Sequence, residues 1–476
     1  MRNNLNQIRE NTYRRSYGIH LTSKDIFLKY IFPEIQDKLW SFKWIDLYAG
    51  EGNLILPILN SISPEKRVRF FEDHIYLSDI QSEMIEKCID NTEKYGIPYK
   101  VAVNNIKLRD NLESFPIFLK SKKFSLYHIT NPPYLYLGYI RKHKETQKYL
   151  NLFKDKNEGY QDLYQIAMIN DLRNNIQNLI YIIPSNFIFG ATVSNKFRKD
   201  FLKFYRINKI IIFETRIFEY TGTNICIGFF KKKVIPKYEN VKFEGIKMKK
   251  QNQLIKKHYV LKPEFKFRAG SEFDEFLKEY HAKSPLKINY YLLKKEVMKH
   301  KGNNKINVID ANNYKNNEYK KLILRIDNTL NQKIESNILY VRTVDTGSYN
   351  GRVGLGIIKD DYNVKGIYVS GNTYRTHPIQ IFFEPIISPK DQKLIKIYFN
   401  FMLETYRKKL DSEFLTTYKY SEANYTRKYL GLTQTRKLIE TIPFIEMNLE
   451  HKNKLKKLVN EKKVEEILEL LKEYQN

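Results

Sequence analysis

The sequence predicts an α/β doubly wound domain followed by a second domain of mixed α+β character. From about Lys43 to Lys232, short apolar runs alternate with amphipathic helical patterns, the rhythm of βαβ units on a parallel sheet. After "FFKKKVIPKYEN" that rhythm gives way to irregular polar, aromatic and basic sequence. At 476 residues the chain is long enough for two domains whose cores need no covalent staples. The boundary is expected near residue 250, dividing the chain into 1–250 and 251–476.

Taken in order, the strand candidates are "FKWIDLYA", "HIYLSDI", "YKVAVNN", "SLYHITN", "NLIYIIPS", "INKIIIFE" and "NICIGFFKK". Between them lie helical patterns such as "QSEMIEKCIDNTEKYG", closed by Gly96 and then Pro98. In the second half, "TVDTGSYNGRVGLG", "YVSGNTYRTHPIQIFFEP" and "TTYKYSEANYTRKYLGLTQTRK" mix Gly turns with Tyr, Arg and Thr and read as surface loops. The end, "LEHKNKLKKLVNEKKVEEILELLKEYQN", repeats Leu, Val and Ile at helical spacing, as an amphipathic helix or helical hairpin does.

Lys and Arg outnumber Asp and Glu 82 to 53, for a formal charge of +29. That balance suits a polyanionic partner, and equally a Lys-rich, AT-biased proteome. Cys88 and Cys226 belong to no metal-ligand spacing, so a reducing compartment, two buried thiols and no bound metal are expected. No run has signal-peptide or membrane-spanning length, which predicts a soluble, cytoplasmic protein.

Three stretches carry chemistry. "WIDLYAGEGNLILPIL" reads as a strand ending at Asp46, a turn with Gly50 and Gly52, then an apolar helix. Such glycines let backbone approach a ligand, although small-residue turns of this kind are also common structural joints. In "IYLSDI", Asp79 closes the second strand, where a carboxylate can accept both hydroxyls of a ribose. The third stretch, "SLYHITNPPYLYLG", breaks off an apolar strand with Asn131, Pro132, Pro133 and Tyr134. An exocyclic or amide nitrogen is a poor nucleophile because its lone pair is delocalised. Two rigid acceptors, the Asn131 side-chain oxygen and the Pro132 carbonyl, can draw its N–H bonds out of plane and free that pair. The prolines supply rigidity by fixing φ and holding the preceding residue extended. Tyr134 offers a flat ring on which a base can stack.

This ordered set resembles the S-adenosylmethionine-dependent amino-methyltransferases, specifically the γ-group of adenine-N6 DNA methyltransferases of restriction–modification systems. "GIHLTSKDIFLKYIF", "DLYAGEGNL", "LSDIQSEM", "NPPY", "DLYQIAMINDL", "IYIIPSNFIFG" and "IFEYTGTNICIGFFKK" follow that group's order over roughly residues 15 to 233. The resemblance implies a Rossmann-like methyltransferase domain, S-adenosyl-L-methionine as cofactor, and double-stranded DNA as partner. By position it gives Thr22 and Ser23 to the methionine portion of the cofactor, with Asp46, Ala49, Gly50 and Gly52 at the cofactor loop. Asp79 takes the ribose. For the cofactor's adenine the family often uses an Asp after the third strand, where Asn105 is the nearest match in "VAVNNIKL". Phe218 matches a second base-contacting aromatic, with ordinary core packing as its alternative.

The second half then reads as a C-terminal mixed α+β target-recognition domain. The same device methylates RNA amino groups and protein glutamines, so the motif leaves the substrate open; the basic second half favours duplex DNA, with the target base flipped into the site. An RNA amino-methyltransferase and a non-catalytic DNA-binding specificity subunit are the alternatives. About twenty residues precede the first motif, so any restriction endonuclease is expected on a separate chain. Oligomeric state is left open.

Overall fold

The computed structural model describes residues 22–120, 123–215, 217, 224–249, 253–345, 351–419 and 427–474. Two compact units follow one another, Met1–Ala269 and Gly270–Asn476.

The first unit is built on a nine-stranded sheet. Its strands are β1 (Phe42–Asp46), β2 (Ile75–Asp79), β3 (Ile106–Leu108), β4 (Ser125–Thr130), β5 (Asn178–Pro184), β6 (Tyr205–Phe213), β7 (Ile225–Lys232), β8 (Val241–Met248) and β9 (Leu254–Leu261). They lie in the order β3-β2-β1-β4-β5-β7-β6-β8-β9, with β1 to β5 parallel and β7 antiparallel between β5 and β6. Every residue of β2, and all but the first of β5, is buried, as strands covered on both faces must be. The doubly wound, Rossmann-like expectation therefore holds. Cys88 and Cys226 are both buried thiols.

Three local expectations are corrected. "YKVAVNN" is a helix, Tyr99–Asn105, that starts after Pro98, and the third strand is the short run Ile106–Leu108 beyond it. The apolar stretch after the glycine turn forms a 3-10 helix, Leu56–Ser61. The first unit also runs past residue 250, because β8 pairs with β6 and β9 with β8, extending the same sheet.

The second unit has two four-stranded sheets. One is ordered β10 (Lys287–Tyr290), β17 (Pro378–Glu384), β14 (Leu339–Arg342), β15 (Gly354–Ile357). The other is ordered β11 (Leu292–Leu293), β16 (Gly366–Val369), β12 (Lys301–Lys315), β13 (Glu318–Ile326). A 21-residue helix, Pro389–Lys409, contributes Ile395, Tyr398, Phe399 and Met402 to the core, and Ser388 caps it by accepting from Asp391 N. The chain's last described stretch is a helical hairpin, Leu449–Asn460 and Val464–Lys472. Among the described residues, no helix is long and apolar enough to cross a membrane.

Candidate active site

A cleft opens at the carboxyl ends of β1 to β4, beside the point where the strand order turns from β1 back to β4. Its first wall is the loop after β1. Gly50 and Gly52 take φ of 53° and 82°, the left-handed region. They differ in what they face. Gly50 lines the cleft, whereas Gly52 turns inward, where a Cβ would come within 2.5 Å of Leu56 Cδ1.

That loop is pinned from the strands on either side, β2 and β4. Ala49 N donates to Ser78 O at 2.9 Å, and Gly50 N to Asp79 Oδ2 at 2.9 Å. The other Asp79 oxygen accepts from Gln81 N at 3.0 Å, leaving lone pairs on both oxygens. Leu47 N donates to His128 Nε2 at 3.1 Å, so the ring proton sits on Nδ1 and is given to Asp171 Oδ2 at 2.6 Å, which Tyr181 also donates to. A buried chain from Tyr181 on β5 through Asp171 on the helix Leu163–Arg173 to His128 on β4 thus holds the first residue of the loop.

Asp46 and Thr22 line the same cleft. Asp46 Oδ1 accepts from Thr130 Oγ1 at 2.6 Å and from Tyr48 N at 3.0 Å, and burial raises the carboxyl to about 6. Burial also raises Asp79, against the pull of the amides that donate to it. The wall beyond β3 brings Arg109, Asp110, Asn111 and Leu112. Asn111 is buried, its Nδ2 donates to Leu47 O and Ser78 Oγ at 2.6 and 3.0 Å, and its Oδ1 has no hydrogen-bond partner among the described residues.

The opposite wall follows β4. Asn131 and Pro133 line the cleft, while Pro132 is buried outside the lining. Asn131 Nδ2 donates to Thr22 Oγ1 at 2.9 Å, and Thr22 O accepts from Asn53 Nδ2 at 3.1 Å, which ties this wall to the glycine loop. The Asn131 side-chain oxygen accepts from the Tyr134 hydroxyl, which also reaches Ile182 O at 2.5 Å. Tyr134 is 9% exposed and meets the Tyr164 ring edge-on, 6.4 Å between centroids. Here its ring does not face the cleft.

The structure thus brings together Thr22, Asp46, Ala49, Gly50, Asp79 and Asn131 around one cleft. Ser23 is exposed and outside it. Asn105 is also outside: at the carboxyl end of its helix it donates to Phe71 O and Glu72 O at 2.9 and 3.0 Å. The residue that lies where an acid after the third strand was expected is Asp110. Its signal was legible as the first Asp after "IKL", once the preceding helix is not taken for the strand. Phe218 lies outside the described residues.

Residues 18–218 match the family model of the Eco57I restriction-modification methylase. No curated protein matches the chain. Among solved structures, the Type IIL restriction-modification enzyme MmeI in complex with DNA is similar over 94% of this chain and 71% of its own, with 12% identity and a TM-score of 0.54. The methyltransferase subunit of a type I restriction-modification system from Streptococcus thermophilus is similar over 49% of this chain and 48% of its own, at 16% identity and a TM-score of 0.34. A nuclease-deletion mutant of the Type ISP enzyme LlaGI with a DNA substrate mimic gives 62% and 34%, 12% identity and a TM-score of 0.38. The chain spans 62% of a modification subunit from Vibrio vulnificus and 31% of the DrdV chain. At its low identity the MmeI likeness speaks for the fold alone. The family match over residues 18–218, set on that fold, supports a methylase of restriction–modification systems.

Proposed function

We propose that the chain is a site-specific DNA methyltransferase that moves a methyl group from S-adenosylmethionine to the N6 amino group of adenine in duplex DNA. It would be the modification enzyme of a restriction–modification system. The observation that carries this reading is that the Asn131 amide and the Gly50–Asp79 loop share one cleft.

The donor set suits S-adenosylmethionine. Asp79 would take the ribose hydroxyls, Asp110 and the unpartnered Asn111 Oδ1 the adenine amino group, and Thr22, Asp46, Ala49 and Gly50 the methionine end. Carboxylates at Asp46, Asp79 and Asp110 favour a ligand carrying positive charge. When bound, the cofactor supplies a methyl group on a cationic sulfur. The chain's own part is alignment. Asn131 is held by Thr22 through its nitrogen, so its oxygen is the atom aimed at an incoming amine, with the Pro132 carbonyl as the second acceptor.

That oxygen is engaged by Tyr134, so the base enters as the tyrosine turns away and lays its ring against it. Flipping a nucleotide costs a few kcal/mol, and stacking of about 1–3 kcal/mol per base offsets part of it. The second unit, with its Lys- and Arg-bearing surface, would serve as the target-recognition domain.

The test is incubation with labelled S-adenosylmethionine and unmethylated duplex DNA, followed by nucleoside analysis. N6-methyladenine is expected, and Asn131→Ala should lose nearly all transfer while keeping DNA binding. Absence of N6-methyladenine in every sequence context would reject the reading.

A further inference from the structure

In the second unit β12 and β13 form an antiparallel ribbon at one side of their four-stranded sheet, closed by Asn316 and Asn317, both at positive φ, with β16 pairing on the other side of β12 over Val308–Asp310. β13 is the last strand of its sheet. Directly opposed residues share a face, so Lys305 with Arg325 and Asn307 with Ile323 stand on one side of the ribbon. All four are exposed, and Ile323 keeps 64% of its surface in water.

Two features set this face apart from an ordinary lysine-protected edge. Like charges placed directly opposite are unfavourable, yet among the described residues neither Lys305 nor Arg325 meets a carboxylate. The ribbon is also anchored by side-chain hydrogen bonds at its base and midway along it. His300 pairs with Asp327 at its base at 2.8 Å, and Asp310 accepts from Ser370 Oγ at 2.7 Å and Asn313 Nδ2 at 2.8 Å midway. Beyond that point Asp360 and Asp361 line the groove beside Lys321, which ends the cationic stretch.

We propose that this face lies in the major groove of duplex DNA, with Lys305 and Arg325 on phosphates and Asn307 and Ile323 against base edges. The inference rests on the proposed function. B-form major grooves admit a two-stranded ribbon, and Asn and an aliphatic side chain match adenine and the thymine methyl.

The full chain is titrated with labelled duplex DNA by fluorescence anisotropy from low to moderate salt. Lys305→Ala with Arg325→Ala should lower the slope of log affinity against log salt by about 1.8, two contacts at roughly 0.9 each. Lys305→Glu should melt no lower than the unaltered protein, because it now pairs with Arg325, yet bind DNA roughly five-fold or more weakly. Cofactor binding by calorimetry should not change in either. An unchanged slope in the double variant overturns the ribbon assignment and leaves the proposed function standing. Failure of the unaltered chain to bind duplex DNA overturns both. Equal binding of duplex RNA with the same loss in the variants also overturns it, since the A-form major groove is too narrow for a ribbon.

Discussion

Replacing Tyr134 by Phe tests whether the phenol guards the Asn131 acceptor. The hydroxyl has one proton to give, and both the Asn131 oxygen and Ile182 O stand within reach of it. Burial raises the phenol well above its ordinary value, so it stays a donor at any working pH. Phe keeps the ring, its packing and its edge-on contact with Tyr164, and deletes one buried hydrogen bond, worth about 0.5–1.5 kcal/mol. Stability should fall by that amount, roughly 2–4 °C in Tm per kcal/mol for a unit of this size. At the site the change runs the other way. A target amine no longer has to displace the phenol, so kcat/KM for methyl transfer to duplex DNA should rise roughly two- to twelve-fold, the same energy read as a rate ratio. The assay is steady-state transfer of labelled methyl, with melting followed in parallel. A fall of more than about ten-fold in a folded Tyr134→Phe protein would refute the reasoning, since the hydroxyl would then take part in transfer rather than oppose it.

Asp79→Asn should weaken S-adenosylmethionine by calorimetry roughly ten- to hundred-fold, the 1.5–3 kcal/mol of a charge-assisted hydrogen bond, while DNA affinity is kept. Asp110→Ala should likewise raise the cofactor Kd, whereas Asn105→Ala should leave it unchanged and lower Tm through its lost bonds to Phe71 O and Glu72 O. Burial lifts the Asp162 carboxyl from 3.8 to about 7, so the folded chain keeps a proton that the unfolded chain has released. Its contribution to stability is therefore present below about 4 and lost as pH rises towards 7; urea midpoints of Asp162→Asn, whose amide oxygen can still accept from Leu135 N, should fall less over that range than those of the unaltered protein.

What the sequence reveals follows burial. "HIYLSDI" and "NLIYIIPS" are legible because strands covered on both faces are apolar runs bounded by turns. "YKVAVNN" misleads because its Val-Ala-Val core is strand-like in composition, yet only Ala102 is fully buried and the chain turns helical after Pro98. That reading puts the expected adenine contact at Asn105, which lies outside the cleft, whereas Asp110 lines it. Spacing alone presents the Tyr134 ring to the cleft because it shows only neighbours in sequence, whereas the partner that holds its hydroxyl, Ile182 O, comes from β5. The second unit is harder still. Leu292–Leu293 and Gly366–Val369 are too short to show a period, and their sheet joins strands that are not consecutive.

The nearness of the two halves of the cleft is a matter of register. β1 and β4 are parallel neighbours with Ile45 beside His128, so both strands finish at the same side of the sheet. Each then releases its next residues into the same crevice, the loop to Gly50 from one and Asn131 from the other. Thr130, the last residue of β4, donates to Asp46, the last of β1, across 84 positions of sequence. His128, two residues earlier, accepts from Leu47. A slip of one residue between these strands would reverse which side chains face the cleft and break both bonds together. The NPPY stretch and the glycine turn therefore need no contact of their own to be aligned, because the ladder between β1 and β4 sets their separation.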